Sequence, residues 1–261
     1  MKKIIFFATA WLLTGALSAQ NSRQLKQFEV DEARQGVAVS EDYFFVINNS
    51  AITKHQKVDG KKVGVWEGSD KGVVHLNSGV IIDGKLYCAN SNYPESPMAS
   101  SIEVFDPESM THIDSHSFGI YVGSATWIDR YQGHWYVAFA HYTGRGSTEG
   151  KDNNWTTLIK FDEHWQRMES WLFPKALIEK FAGRSNSGGF IDANGLIYCT
   201  GHDAPELYVL KLPEIGYTLN WTDTIPINIH GQGIAIDKSL KRKTIYGIIK
   251  SDNTVTITQI D

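Results

Sequence analysis

The chain has 261 residues, a formal net charge of −4, 12% aromatic residues and 23 glycines. That length allows one or two domains. No basic cluster is dense enough for a nucleic-acid footprint, and "KSLKRK" (238–243) reads as a solvated turn, so nucleic acid is excluded as a partner.

"MKKIIFFATAWLLTGALSAQ" opens the chain. Two lysines precede an apolar run from Ile4 to Leu13, and Leu17 and Ala19 occupy the positions a signal peptidase reads. This is the pattern of a secretory signal (residues 1–19), too short and wrongly flanked for a membrane anchor. Cleavage after Ala19 is expected, leaving residues 20–261 as one domain with a net charge of about −6 once Lys2 and Lys3 are lost. No cysteine follows the run, which argues against a lipoprotein. The signal has a Gram-negative style, so the expected destination is the periplasm or the cell exterior. No other apolar run approaches the roughly 18–20 residues of a membrane span.

The rest of the chain repeats one pattern five times. A small residue leads into an alternating apolar run, a turn, and a second apolar run. The copies are "QGVAVSEDYFFVIN" (35–48), "SGVIIDGKLYCAN" (78–90), "SATWIDRYQGHWYVAFAHY" (124–142), "SGGFIDANGLIYCTGHD" (187–203) and "QGIAIDKSLKRKTIYGIIK" (232–250). Each reads as a β-hairpin, and the turns at 83–84, 131–133 and 193–195 carry the glycine such turns favour. The anchors Gly36, Gly79, Ala125, Gly188 and Gly233 recur at intervals of 43, 46, 63 and 45 residues. Two further strand-like stretches follow each hairpin, except that the last repeat has only "TVTITQI" (254–260). "RQLKQFEV" (23–30) can supply the missing strand and close the ring.

A period of about 40–50 residues with four strands per unit predicts an all-β fold, a five-bladed β-propeller with N- and C-terminal strand closure. The alternative is a six-bladed one, with a degenerate blade hidden in the 63-residue interval. The chain resembles the broad set of secreted bacterial propellers with NHL-like, YncE-like and quinoprotein-like repeats. This resemblance spans the whole mature chain and is architectural. It implies a fold and no chemistry, because propellers host many unrelated functions.

In such a blade the lead-in to strand one and the loop leaving strand two meet at one mouth of the central channel, here the top face. His75, His141, His202 and His230, four of nine histidines, map to it. Asn77, Asn90, Asn92, Asn186, Asp203, Glu206 and Gln232 map there too, and the long interval is spent there on the loop 141–155 and a helix-like insert, "PKALIEKF" (174–181). Long loops on one face of a rigid scaffold are where sites tend to be.

Two chemistries fit those residues. The four histidines are a candidate ligand set for a divalent transition metal, although no local metal motif is present. Alternatively His202 with Asp203 supplies acid–base catalysis, with His141 as a further candidate catalytic group. Arg145 and Arg184 would then hold a uronate, and Tyr93, Trp127, Tyr142 and Trp155 would stack on sugar rings. For Trp127 the competing expectation is the blade core. No Gly-rich phosphate loop, dinucleotide fingerprint or Cys-x-x-Cys-His is present, so neither nucleotide nor haem is expected. Cys88 and Cys199 share the strand-two position of non-adjacent blades, too far apart to bridge, and are expected as buried free thiols. The functional expectation is an enzyme, a lyase or hydrolase, acting on a small polar or carbohydrate-type ligand. The alternative is a non-catalytic glycan- or protein-binding module.

Overall fold

A computed structural model describes residues 21–261. The expected signal segment lies outside them. Twenty strands form five antiparallel four-stranded sheets arranged as a five-bladed β-propeller. From the axis outward, blade 1 consists of Gly36–Val39, Tyr43–Asn48, Ala51–Gln56 and Lys62–Glu67. Blade 2 consists of Leu76–Ile82, Lys85–Ser91, Ala99–Asp106 and Thr111–Ile120. Blade 3 follows with Ser124–Tyr131, His134–Ala140, Thr157–Phe161 and Arg167–Leu172, and blade 4 with Gly188–Ile191, Ile197–Thr200, Glu206–Lys211 and Asn220–Pro226. Blade 5 has Ala235–Ile236, Thr244–Ile249 and Thr254–Ile260, and Ser22–Glu29 completes it from the other end of the chain. Phe28 lies opposite Val255 in that closing ladder. The 63-residue interval holds an extended loop and the helix Lys175–Lys180, with no sixth blade. Among the described residues no helix is long and apolar enough to cross a membrane.

Strand periodicity explains the core. Successive side chains point to opposite faces of a sheet, and both faces of an inner strand are covered by neighbouring blades. Phe44 therefore packs on Tyr246 of blade 5, while Phe45 packs with Leu86 and Phe105 of blade 2. Tyr198 and Cys199 divide in the same way between the interfaces with blades 5 and 3. The buried apolar residues form five clusters, one at each blade interface. A fully buried ring such as Phe44 or Phe139 contributes about 2–3 kcal/mol. Cys88 and Cys199 sit in different interfaces, buried and free, and burial pushes both thiols well up from their ordinary value.

The glycine anchors close the axis. A Cβ on Gly188 would lie 2.5 Å from the Gln232 carbonyl oxygen, and one on Gly233 would lie 2.8 Å from Gly36 Cα. Backbone packs on backbone at this level, and the channel is divided. Above is a polar cup. Below is a chamber of about 190 Å³ walled by side chains such as Val39, Val80, Phe190 and Ile234.

The bottom face, where strand one ends, is tied together by ion pairs. The fourth residue after each anchor is Ser40, Asp83, Asp129, Asp192 or Asp237. Asp83 pairs with Arg130 of blade 3 at 2.8 Å, Asp192 with Lys243 of blade 5 at 2.9 Å, and Asp237 with Lys57 of blade 1 at 2.6 Å. Asp129, fully buried, accepts from Lys238 Nζ of blade 5 at 3.0 Å and from the Ile191 amide of blade 4 at 2.9 Å. Lys54 and Glu108, 3.0 Å apart, join blades 1 and 2.

Candidate functional site

The cup at the top mouth has a volume of about 260 Å³ and is lined from all five blades. Gln35 comes from the lead-in to blade 1, and His75, Asn77 and Tyr93 come from blade 2. Blade 3 gives Thr126, Tyr142 and Arg145, and blade 4 gives Arg184, Ser187 and His202. Gln232 and Lys250 complete it from blade 5. The volume lies near the small end of ligand pockets, so the cup suits one small molecule.

One wall is aromatic. The Tyr93 ring lies 5.1 Å from that of His75 and 4.8 Å from that of Tyr142, centre to centre. The long loop can approach Tyr93 because of Gly146, where a Cβ would lie 2.4 Å from that ring. Burial pushes the Tyr142 phenol up to about 12, so it stays protonated. Burial lowers the His75 imidazole to about 4, and the charge of Lys250 adds to the effect, against an opposing hydrogen bond to Asn77. His75 is therefore neutral at physiological pH, a hydrogen-bonding group and not a charge.

Another wall holds His202, the candidate acid–base group. His202 Nδ1 lies 2.6 Å from Asp203 Oδ1. That contact orients the ring and leaves Nε2 without a protein partner among the described residues. The segment is anchored from blade 5: Gln232 Nε2 donates to the His202 carbonyl at 3.1 Å, and the Gln232 amide donates to the Gly201 carbonyl at 3.1 Å. Gln232 adopts a left-handed φ of 69°, a conformation that costs energy for a residue with a side chain.

The charge of the cup is one-sided. Arg145, Arg184 and Lys250 line it, and no carboxylate does. Among the described residues none of these three cations forms an ion pair. Three like charges around so small a volume repel one another, and an anion on the axis would relieve that repulsion.

The structure thus brings His75, Asn77, Tyr93, Tyr142, Arg145, Arg184, His202 and Gln232 together, with Asp203 behind His202. Other expected site residues lie elsewhere. His141 is buried outside the cup, its Nε2 3.1 Å from the Val122 carbonyl oxygen, because it immediately precedes Tyr142 in the chain and points the opposite way. His230 is exposed on the surface. Four histidines therefore do not converge, and among the described residues no group of three or more His, Cys, Asp or Glu side chains could hold a metal ion.

Trp127 is fully buried in the interface of blades 3 and 4, and its Nε1 donates to Asn186 Oδ1 at 2.6 Å. Asn186 spends its amide on the Gly188 and Thr200 carbonyls, so both residues brace the blades. Asn90 donates to Ser101, and Asn92 binds Pro97 and Ala99 within its own loop. Glu206 accepts from Tyr208 at 2.6 Å and pairs with Lys180 at 2.8 Å, fastening the helix Lys175–Lys180 to blade 4. Lys250 is the charged cup residue that sequence reasoning missed. It follows strand two of blade 5 as His202 follows strand two of blade 4, so the repeat itself held the signal.

No protein-family model and no curated protein matches the chain. Among solved structures it is similar to a luciferin-regenerating enzyme, with 12% identity, 87% of this chain and 78% of that chain covered, and a TM-score of 0.51. It is also similar to a gluconolactonase from Xanthomonas campestris, with 13% identity, coverage of 87% and 71%, and a TM-score of 0.51. At this level of identity the likeness is one of propeller architecture.

Proposed function

We propose that the cup binds and processes a small polar molecule carrying a carboxylate, of the sugar-acid type, in an exported protein. One observation carries this reading. Three cations without carboxylate partners converge on a cup that also presents the His202–Asp203 pair. Arg145 and Arg184 would hold the carboxylate, with Lys250 adding charge. His202 Nε2 would remove the proton from the carbon next to the carboxylate, and the cations would stabilise the negative charge that builds there. That electron pair would form a double bond as an oxygen substituent leaves from the neighbouring carbon, taking back the proton from His202. This is lyase chemistry. Hydrolysis would use the same base on a water, and one propeller of similar architecture is named a gluconolactonase.

Calorimetry with galacturonate and with glucose tests the reading. Galacturonate is expected to bind and glucose is not, and Arg184→Ala or Arg145→Ala should each weaken binding by about 10-fold to 100-fold, the loss expected for a charge-assisted hydrogen bond. Equal binding of glucose and galacturonate would refute it. Binding of the acid with no ultraviolet-absorbing unsaturated product and no hydrolysis would make the cup a non-catalytic receptor.

A further inference from the structure

A second surface lies on blade 3, outside the cup. It is a groove of about 490 Å³ whose rim carries Tyr121, Trp155 and Tyr217. These rings are 73%, 52% and 71% exposed, and they are the aromatic side chains among the exposed large hydrophobic residues described; the others are aliphatic or Met168. All three border one groove. Exposed apolar groups gathered in one place mark interaction surfaces, while scattered ones do not.

Tyr121 adds an independent observation. The lead-in "FGIYVGS" takes left-handed backbone at Gly119 (φ 67°), Tyr121 (φ 81°) and Gly123 (φ 129°). Two of these positions carry glycine, which adopts that conformation without strain. The third carries a large ring that is mostly in solvent, so packing does not repay the strain there. Lys151 Nζ holds it by donating to the Tyr121 carbonyl at 2.7 Å.

The groove's charge indicates its occupant. Lys151 and Arg167 line it, no carboxylate does, and neither cation forms an ion pair among the described residues. Thr157 and Ser170 add hydroxyls beside the rings. A sugar ring presents an apolar C–H face for stacking and a polar edge for hydrogen bonds, and a uronate residue adds the carboxylate that the cations match. One loop also serves both sites: Tyr142 and Arg145 face the cup, while Lys151 and Trp155 face the groove.

We infer that the groove formed by Tyr121, Trp155 and Tyr217 binds an acidic polysaccharide chain, an extension that rests on reading the cup as a sugar-acid site. Affinity electrophoresis of the mature chain through gels containing polygalacturonate tests this, with dextran as the neutral control. Polygalacturonate should retard the protein, dextran should not, and added salt should weaken the retardation. Trp155→Ala and Tyr217→Ala should each reduce retardation about tenfold, as the loss of one stacking contact does. Tyr121→Gly should abolish much of it while leaving the melting temperature unchanged or raised; a ring kept for stability would give the opposite pattern. Arg184→Ala should weaken galacturonate binding in the cup and keep the gel retardation, so each site can fail without the other. No retardation by polygalacturonate, equal retardation by dextran, or tighter capture of a proline-rich peptide would overturn the inference.

Discussion

The two ends of the channel use charge in opposite ways. On the bottom face the ion pairs join different blades. Asp83 reaches Arg130, Asp129 reaches Lys238, Asp192 reaches Lys243, and Asp237 reaches Lys57. On the top face the pairs Lys180–Glu206 and His202–Asp203 stay local to blade 4 and its insert, while Arg145, Arg184 and Lys250 stand around the cup unpaired among the described residues. Charge that is matched inside the protein serves assembly. Charge left unmatched around a concave surface is available to a ligand. The difference separates the end that holds the ring together from the end proposed to bind a ligand.

The most damaging way to break this contrast is at Asp129. Its carboxylate is fully buried and satisfies both Lys238 and the Ile191 amide. Asp129→Ala leaves the Ile191 and Arg130 amides without their acceptor, while Lys238, half-exposed, turns to water; the expected cost is about 2–5 kcal/mol, read by urea unfolding at neutral pH. Arg184→Ala should change stability by less than about 0.5 kcal/mol while weakening ligand binding. A small loss at Asp129 would mean that the bottom pairs are incidental.

Acid should act next, and in part through the top. His75 has its value lowered from 6.5 to about 4 by burial. Between those values the unfolded chain binds a proton that the folded chain refuses. Stability is therefore complete above pH 6.5, falls as the pH drops, and has lost about 3 kcal/mol from this residue below pH 4. His55, His116 and His141 are lowered as well and act with the same sign. Unfolding measured from pH 7 to pH 4 should show this slope, and His75→Gln should make it shallower while His55, His116 and His141 keep the remainder. A slope unchanged in that variant would place the acid sensitivity outside the cup.

Much of the ring was legible because its determinants are local and repeated. Alternating runs such as "DYFFVIN" place consecutive rings in different interfaces, and the glycine anchors mark where backbones meet. The closing strand was legible from the missing quarter of the last repeat. The cup was legible in position only. Which side chain turns toward the axis depends on strand register, so Tyr142 faces the cup and His141, one residue earlier, does not. Trp127 and Asn186 satisfy each other between blades, a contact 59 residues apart in the chain that no local pattern encodes. The bottom aspartates recur at one offset from the anchors, but their partners come from strands and turns at unrelated offsets, so the pairing required the fold.

The mildest substitution gives the sharpest test of the contrast. Asp203 is 77% exposed in its side chain, and its contact with His202 is a surface pair. Such pairs are worth less than about 1 kcal/mol, so Asp203→Asn should leave the unfolding midpoint almost unchanged. Asparagine keeps the shape and an acceptor oxygen but not the charge that supports an imidazolium. Binding of galacturonate should persist, since the cations that hold it are untouched, while turnover should fall by about tenfold or more, as it does when the group behind a working histidine is altered. Stability and activity would then separate at one residue, opposite in pattern to Asp129→Ala. If Asp203→Asn instead destabilised the fold and spared turnover, the top pair would belong with the bottom ones, and charge would not divide the two faces by role.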